Sequence, residues 1–382
     1  MKQVFSISKT LLAVLFLLVS MNGCLENDEE TIALPTPYTI NGIPGDFSAL
    51  VNPIINNPNA IIPNFQFEEE EGDENLFVYR LDMTGIMNPN THEWMDLYGT
   101  GFQNQNVWLS LDDTPKGILV KNHSEDGTVS HTFDLVFLVD NSGSMDDEAD
   151  AVARDIMNWA DNLTNSGINI QFGCVGFSEE GTINGSIDIT SESELNAFLN
   201  YGSGTNRTKH FGGDNASELS GYARNYGHTG GECCVMALRF ADEYFHFRSN
   251  ANLIYVNFTD EPNQPNHVSE WSVEYLNPYH GNWTPQQGTI HTVYSGNTNN
   301  SSQERPWLMS EYTGGTVLYA SSSFTGVSLN DLPVTGAMQH SYSIYFTVPE
   351  SMKDGSSHHL KVTVLSTDQT VRAERNFNIQ FD

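Results

Sequence analysis

The stretch that most constrains this chain covers residues 133–145 and reads F-D-L-V-F-L-V-D-N-S-G-S-M. A run rich in Val, Leu and Phe, bounded by a Gly-containing turn, predicts a strand buried on both faces, as in a parallel sheet. The run ends on Asp140, and Ser142 and Ser144 follow on the turn. A carboxylate at the C-terminal end of a parallel strand stands where open α/β sheets bind ligands. Asp-x-Ser-x-Ser supplies one anionic and two neutral oxygens, a ligand set for Mg²⁺, Mn²⁺ or Ca²⁺ and not for zinc. The same residues also read as an Asx-type turn that holds no ion.

The following residues continue an α/β pattern. Residues 147–164 carry an apolar face of Ala151, Ile156, Trp159, Ala160 and Leu163 and stop at Asn165-Ser166-Gly167, which predicts a helix. Strands are expected at 168–177, 252–258, 290–294 and 316–319, with 182–190 as an antiparallel edge. Helices are expected at 194–199, 232–247 and 304–312. Asp260 places a second carboxylate at the end of a buried strand. The loop 201–231 is rich in Gly and Asn and gathers Arg207, Lys209, His210, Arg224 and His228 in a chain with little positive charge.

Asp140-x-Ser142-x-Ser144 after a buried strand, Asp260 after another, and Thr313-Gly314-Gly315 before a late strand together resemble the von Willebrand factor A family. The likeness covers residues 131–335 and implies a Rossmann-like, mostly parallel sheet with flanking helices. It also implies a metal-ion-dependent adhesion site built by three loops. In that site Asp140, Ser142 and Ser144 come from the first loop, and Asp260 from the third. The second loop reads Thr229-Gly230-Gly231-Glu232. Laid on the integrin β-subunit loop, Glu232 falls on that family's glutamate ligand; with the alignment slipped by three, Thr229 is the ligand. Asp147 and Glu148 fall where integrin β subunits keep an adjacent second cation site, and read equally as acids in the first turn of a helix. Two carboxylates would balance a divalent ion and leave it attractive to an acidic ligand. A third would hold the ion more tightly and an acidic ligand less tightly.

Both flanks of this segment look β-rich. Strands are expected at 76–81, 107–111 and 117–120 before it, and at 342–348, 360–365 and 371–379 after it, with hairpin turns at Asp354-Gly355 and Thr367-Asp368. Three strands alone make a marginal unit. Residues 76–130 and 336–382 are therefore expected to form one β-sandwich, with the α/β segment inserted as in integrin β subunits. Two separate small β units are the alternative.

The N-terminus reads as a targeting segment. Lys2 and Lys9 precede a nine-residue apolar run, Leu11 to Val19. That is too short for a membrane span of roughly 20 residues. The Gly23-Cys24 pair after it resembles a bacterial lipoprotein signal. The likeness implies removal of residues 1–23, lipidation of Cys24 and anchoring at the outer membrane or cell surface. Residues 24–75, with recurring prolines and the acidic block 68–74, are expected to be a flexible tether. Cys174, Cys233 and Cys234 would be left to pair in an oxidising compartment or to stay buried as thiols.

The chain has 382 residues and a net charge of −32. Such a charge repels phosphate backbones, so nucleic acid is not an expected partner. No Gly-x-Ser-x-Gly, His-Glu-x-x-His or phosphate loop occurs in the sequence, and an enzyme is not expected. The expectation is a lipid-anchored surface protein that binds a macromolecular ligand, a protein in the first place, through Mg²⁺, Mn²⁺ or Ca²⁺, the ligand donating a carboxylate. A structural part in a fimbrial tip or a gliding or secretion apparatus is the alternative, and a metal-dependent hydrolase a more remote one.

Overall fold

A computed structural model describes residues 38–381 except 74–75, 123–130, 201–210, 212–213, 300–301 and 322–328. Residues 1–23 and Cys24 lie outside the described residues. Among the described residues no helix is long and apolar enough to cross a membrane.

The first described segment is a small hairpin of β1 (Tyr38–Ile40) and β2 (Ile43–Pro44). Asn41 and Gly42 form its turn, both at positive φ, as a tight hairpin requires. Next come β3 (Phe65–Asp73), β4 (Leu76–Met83), β5 (Val107–Leu111), β6 (Thr114–Lys116) and β7 (Leu119–Asn122). Strand β3 corrects the expectation of a tether over 24–75 for residues 65–73. Phe65 is buried against the core, while the glutamates that follow meet cations from elsewhere in the chain. Glu68 and Glu70 both pair with Arg80 of β4, which also holds Asp82 at 2.9 Å. Glu69 pairs with Lys353 at 2.7 Å and accepts the Tyr79 hydroxyl at 2.9 Å. A like-charge block disfavours compaction only when no counter-charge faces it, and here one does.

The α/β segment follows. Its strands are β8 (Thr132–Asp140), β9 (Asn169–Phe177), β10 (Ile187–Thr190), β11 (Ala251–Thr259), β12 (Thr289–Tyr294) and β13 (Val317–Tyr319). Its helices are α1 (Asp146–Asn165), α2 (Glu192–Leu199), α3 (Ser220–Ala223), α4 (Cys234–Tyr244), α5 (Trp307–Thr313) and α6 (Val334–Gln339). The six strands form one sheet in the order β10-β9-β8-β11-β12-β13, with β10 alone antiparallel to its neighbour. Both faces of β8 are buried, which is why its sequence does not alternate. Leu135, Phe137 and Val139 pack with Ile156 and Trp159 of α1 on one side; Val136 and Leu138 pack with Val235, Leu238 and Phe240 of α4 on the other. Helix α2 opens on a capping box between Ser191 and Glu194.

The chain then adds β14 (Tyr342–Pro349), β15 (Ser357–Leu365) and β16 (Arg372–Gln380). Two four-stranded antiparallel sheets result, β3-β4-β14-β7 and β16-β15-β5-β6. Each contains strands from before and after the α/β segment. One apolar core lies among them, including Leu81, Leu109, Phe346, Val362 and Phe377. The molecule is thus α/β with sandwich-like antiparallel sheets. Asp354-Gly355, expected as a hairpin turn, instead carries the chain from one sheet to the other, since β14 and β15 pair with different partners. Leu365 and Arg372 do face each other across the β15–β16 hairpin.

Asp134 sits near the start of β8 with no exposure, and Arg248, ahead of β11, neutralises it. The Arg248 backbone N–H and Nε donate to the two carboxylate oxygens at 2.7 and 2.6 Å, and Nη2 donates to the Phe133 carbonyl. Removing one partner of such a pair leaves a buried charge uncompensated. Arg248→Ala should therefore lower unfolding stability by about 3 kcal/mol, read from equilibrium urea melts. A loss below about 0.5 kcal/mol, the range of ordinary surface changes, would show that the pair does not hold the sheet.

Candidate metal centre

In chain order the six strands stand 3-2-1-4-5-6 across the sheet, so the direction of winding reverses between β8 and β11. The crevice at such a reversal, at the carboxyl ends of the strands, is where doubly wound sheets take ligands. Asp140 is the last residue of β8, and Asp260 follows directly on β11. The sheet order alone brings these two carboxylates together from 120 positions apart in sequence, as their bonds to the same turn show.

The first loop is held by its own hydrogen bonds. Asp140 is fully buried; its Oδ1 accepts from the Ser142 backbone N–H at 3.0 Å and its Oδ2 from the Thr259 hydroxyl at 2.8 Å. The Ser142 and Ser144 hydroxyls lie 3.0 Å apart, and the Ser144 hydroxyl donates to Asp260 Oδ1 at 3.0 Å. Thr259 was not among the residues singled out from sequence. Its signal was its place beside Asp260 at a strand end.

The second loop supplies Glu232. Helix α4 begins at Cys234, two residues later than the expected start, because Asn263 from the third loop caps it: Asn263 Oδ1 accepts from the Val235 N–H at 3.1 Å. Glu232 thus lies ahead of the helix and is not an acid of its first turn. Its carbonyl accepts from the Gln264 N–H at 2.7 Å, which fastens the second loop to the third. Gly230 takes a φ of +69°, and a side chain at Gly231 would collide with that of Gln264, so the two glycines set the turn. Thr229, the alternative ligand, is buried, and its hydroxyl donates to the Gly231 carbonyl at 2.5 Å.

Asp140, Glu232 and Asp260 each offer a carboxylate oxygen within 4.8 Å of the others. At this spacing two full charges repel by about 3 kcal/mol at an effective dielectric of ~20. Burial pushes the Asp140 carboxyl up to about 6. Burial and then the charge of Asp140 push Glu232 up to about 8, offset in part by a hydrogen bond with Ser142. Burial also raises Asp260. Glu232 Oε2 is buried without any hydrogen-bond partner. An orphaned anionic oxygen beside two more carboxylates and two hydroxyls fits a hard divalent cation, and the all-oxygen set does not suit a soft metal.

The other expected residues fall as follows. Asp147 and Glu148 lie in the first turn of α1; Glu148 is buried, and the Asp147 side chain lies outside the described residues. Cys174, Cys233 and Cys234 are buried free thiols, Cys233 pushed up to about 12 by burial. Arg224 and His228 are exposed, while Arg207, Lys209 and His210 lie outside the described residues.

No protein-family model matches the chain, and no curated protein matches it. Among solved structures it is similar to the pilus adhesin SpaC from Lactobacillus rhamnosus GG in its open conformation, at a TM-score of 0.36 and 10% identity. The match covers 91% of this chain and 50% of that one, so the chain spans about half the length of the adhesin.

The raised carboxyls give a signed prediction. A carboxyl whose folded pKa lies above its unfolded value contributes stability below the unfolded value, and that contribution is lost as pH rises through the folded one. In chelator, the melting temperature should therefore fall between pH 4 and about pH 8 as Asp140 and Glu232 ionise. Millimolar Mg²⁺ or Ca²⁺ should restore it at the upper end. Glu232→Gln should melt higher than wild type in chelator at about pH 8 and respond less to the cation. A variant that melts lower in chelator and keeps the full cation response would show that Glu232 is not part of the site.

Proposed function

We propose that residues 131–335 are a von Willebrand factor A-type domain whose divalent cation binds a macromolecular ligand, with the β-sandwich as its support and Cys24 as its lipid anchor at the cell surface. The observation that carries this reading is the meeting of three carboxylates at the sheet's reversal point, one of them with a buried oxygen left unpartnered. Asp140, Glu232 and Asp260 would hold the ion through carboxylates, and Ser142 and Ser144 through hydroxyls. When bound, the ion supplies a Lewis-acid position for a carboxylate of the ligand. Three carboxylates exceed the charge of a divalent ion by one, so the ion is held tightly and an acidic ligand needs further contacts around the site. Adhesion to a protein is the role that such a chemistry serves best on a surface-anchored chain.

The test is a pull-down of surface proteins on the full chain, with Mg²⁺ and with EDTA, comparing wild type with Asp140→Ala. The substitution removes a buried charge without opening a large cavity, so folding should survive and is checked by its melting curve. EDTA and Asp140→Ala should each remove the same captured partner, a loss of at least about tenfold. Capture that survives both treatments would sink the proposal.

A further inference from the structure

None of the three carboxylates lines the other feature of interest on the surface. A groove of about 460 Å³ runs between the loop 278–285 and the outward face of β15 and β16. Asn376 and Asn378 line it from β16, and the exposed amides of both are joined by no hydrogen bond to another described residue. Two residues apart on a strand, they stand about 7 Å from each other on one face. His359 lies directly opposite Asn378 on β15. Tyr279 forms part of the other wall and is 94% exposed. At the groove's inner side Asn64 is buried; its Nδ2 donates to the Gly288 carbonyl at 2.7 Å, and its Oδ1 is an acceptor with no donor.

We propose that this groove binds a short segment of a neutral oligosaccharide. Each free amide offers both a donor and an acceptor, as paired sugar hydroxyls require. The amide spacing lets them address neighbouring rings of a chain. The exposed Tyr279 ring gives a flat apolar face for the C–H side of a pyranose, with a hydroxyl at its rim. The wall is set in advance: the Tyr279 N–H donates to Asn277 Oδ1 at 3.1 Å, and buried Trp283 anchors the loop through Nε1 to the Gly288 carbonyl at 3.0 Å. A wall fixed before binding spares the ligand the cost of ordering it.

Charge favours a neutral ligand. Glu374 and Arg375 line the groove with one charge of each sign, in a chain whose net charge is −32. The Arg375 guanidinium is already committed, donating to the Ile62 and Tyr312 carbonyls at 2.8 and 2.7 Å. An extended peptide fits less well. The large apolar side chains at hand, Trp283 and Phe377, are 6% and 5% exposed and leave no pocket for a side chain. The edge of β16 is also taken at its start, where the Asn59 N–H donates to the Arg372 carbonyl at 2.8 Å.

The experiment titrates the full chain with cellohexaose, xylohexaose, mannohexaose and chitohexaose by calorimetry, in EDTA so that the carboxylate site plays no part. At least one should bind. Tyr279→Ala and the double variant Asn376→Ala/Asn378→Ala should each weaken it by about tenfold or more, with melting curves unchanged because these side chains are exposed. Asp140→Ala should leave binding intact, which separates this groove from the metal reading. Absence of binding to all four sugars, binding indifferent to these variants, or a requirement for cation would each overturn the proposal.

Discussion

The cost of burying negative charge governs the centre of this molecule. Asp140 has no exposure, and Glu232 and Asp260 crowd it within 4.8 Å. Folding alone cannot return that cost, because the hydroxyls of Ser142, Ser144 and Thr259 give dipoles and no counter-charge. A proton or a cation must supply the rest, and the raised carboxyls are the proton's version of that answer. The contrast with Asp134 at the other end of the same strand is instructive. It too has no exposure and is raised by burial, but a guanidinium from Arg248 meets it directly and offsets part of that cost. One strand therefore carries two buried carboxylates, one closed by the protein's own cation and one left open to an outside ion.

The loops around the open end are braced against one another in a way that preserves the crowding. Gln264 ties to the Glu232 carbonyl, and Asn263 caps α4, while its amide also donates to the Trp271 carbonyl at 2.9 Å. The first two bonds link the second loop to the third and the last braces the third loop itself, so Glu232 and Asp260 cannot drift apart to relieve repulsion without breaking caps and turns. A site preorganised in this way would spend its binding free energy on a bound ion rather than on collecting ligands.

What could be read from sequence followed the range of the interaction that decides each feature. Strand β8 and the positions of Asp140 and Asp260 are local: an apolar run and the carboxylate at its end suffice. The capping box of α2 is local too, Ser191 and Glu194 being three residues apart. Glu232 needed a resemblance, because its place depends on Asn263 and Gln264 from a loop some 30 residues on. The acidic strand β3 was misread as tether because Arg80 and Lys353, which neutralise it, lie elsewhere in the chain, Arg80 in the next strand and Lys353 284 positions from Glu69. Asp354-Gly355 has hairpin chemistry, but turn residues do not say whether the two strands they join share a sheet. The groove left no trace in any single stretch, since its walls come from Asn64, the loop 278–285 and two late strands.

The way the two β-rich sheets meet the α/β segment decides which edge stays free. His131, just before β8, bonds Ser343 of β14 at 3.0 Å, and Ser343 donates to Asp82 of β4 at 2.6 Å. Asn64 holds the Gly288 carbonyl just ahead of β12. These joints lie at the amino ends of the parallel strands, whereas Asp140 and Asp260 lie at the carboxyl ends. A strand of nine residues spans about 30 Å, so the carboxylates stand roughly that far from the joints. The groove, walled by the same loop that ends at Gly288, belongs to the joint side. A ligand at the carboxylates and a sugar in the groove would therefore approach opposite edges of one sheet, and neither need exclude the other.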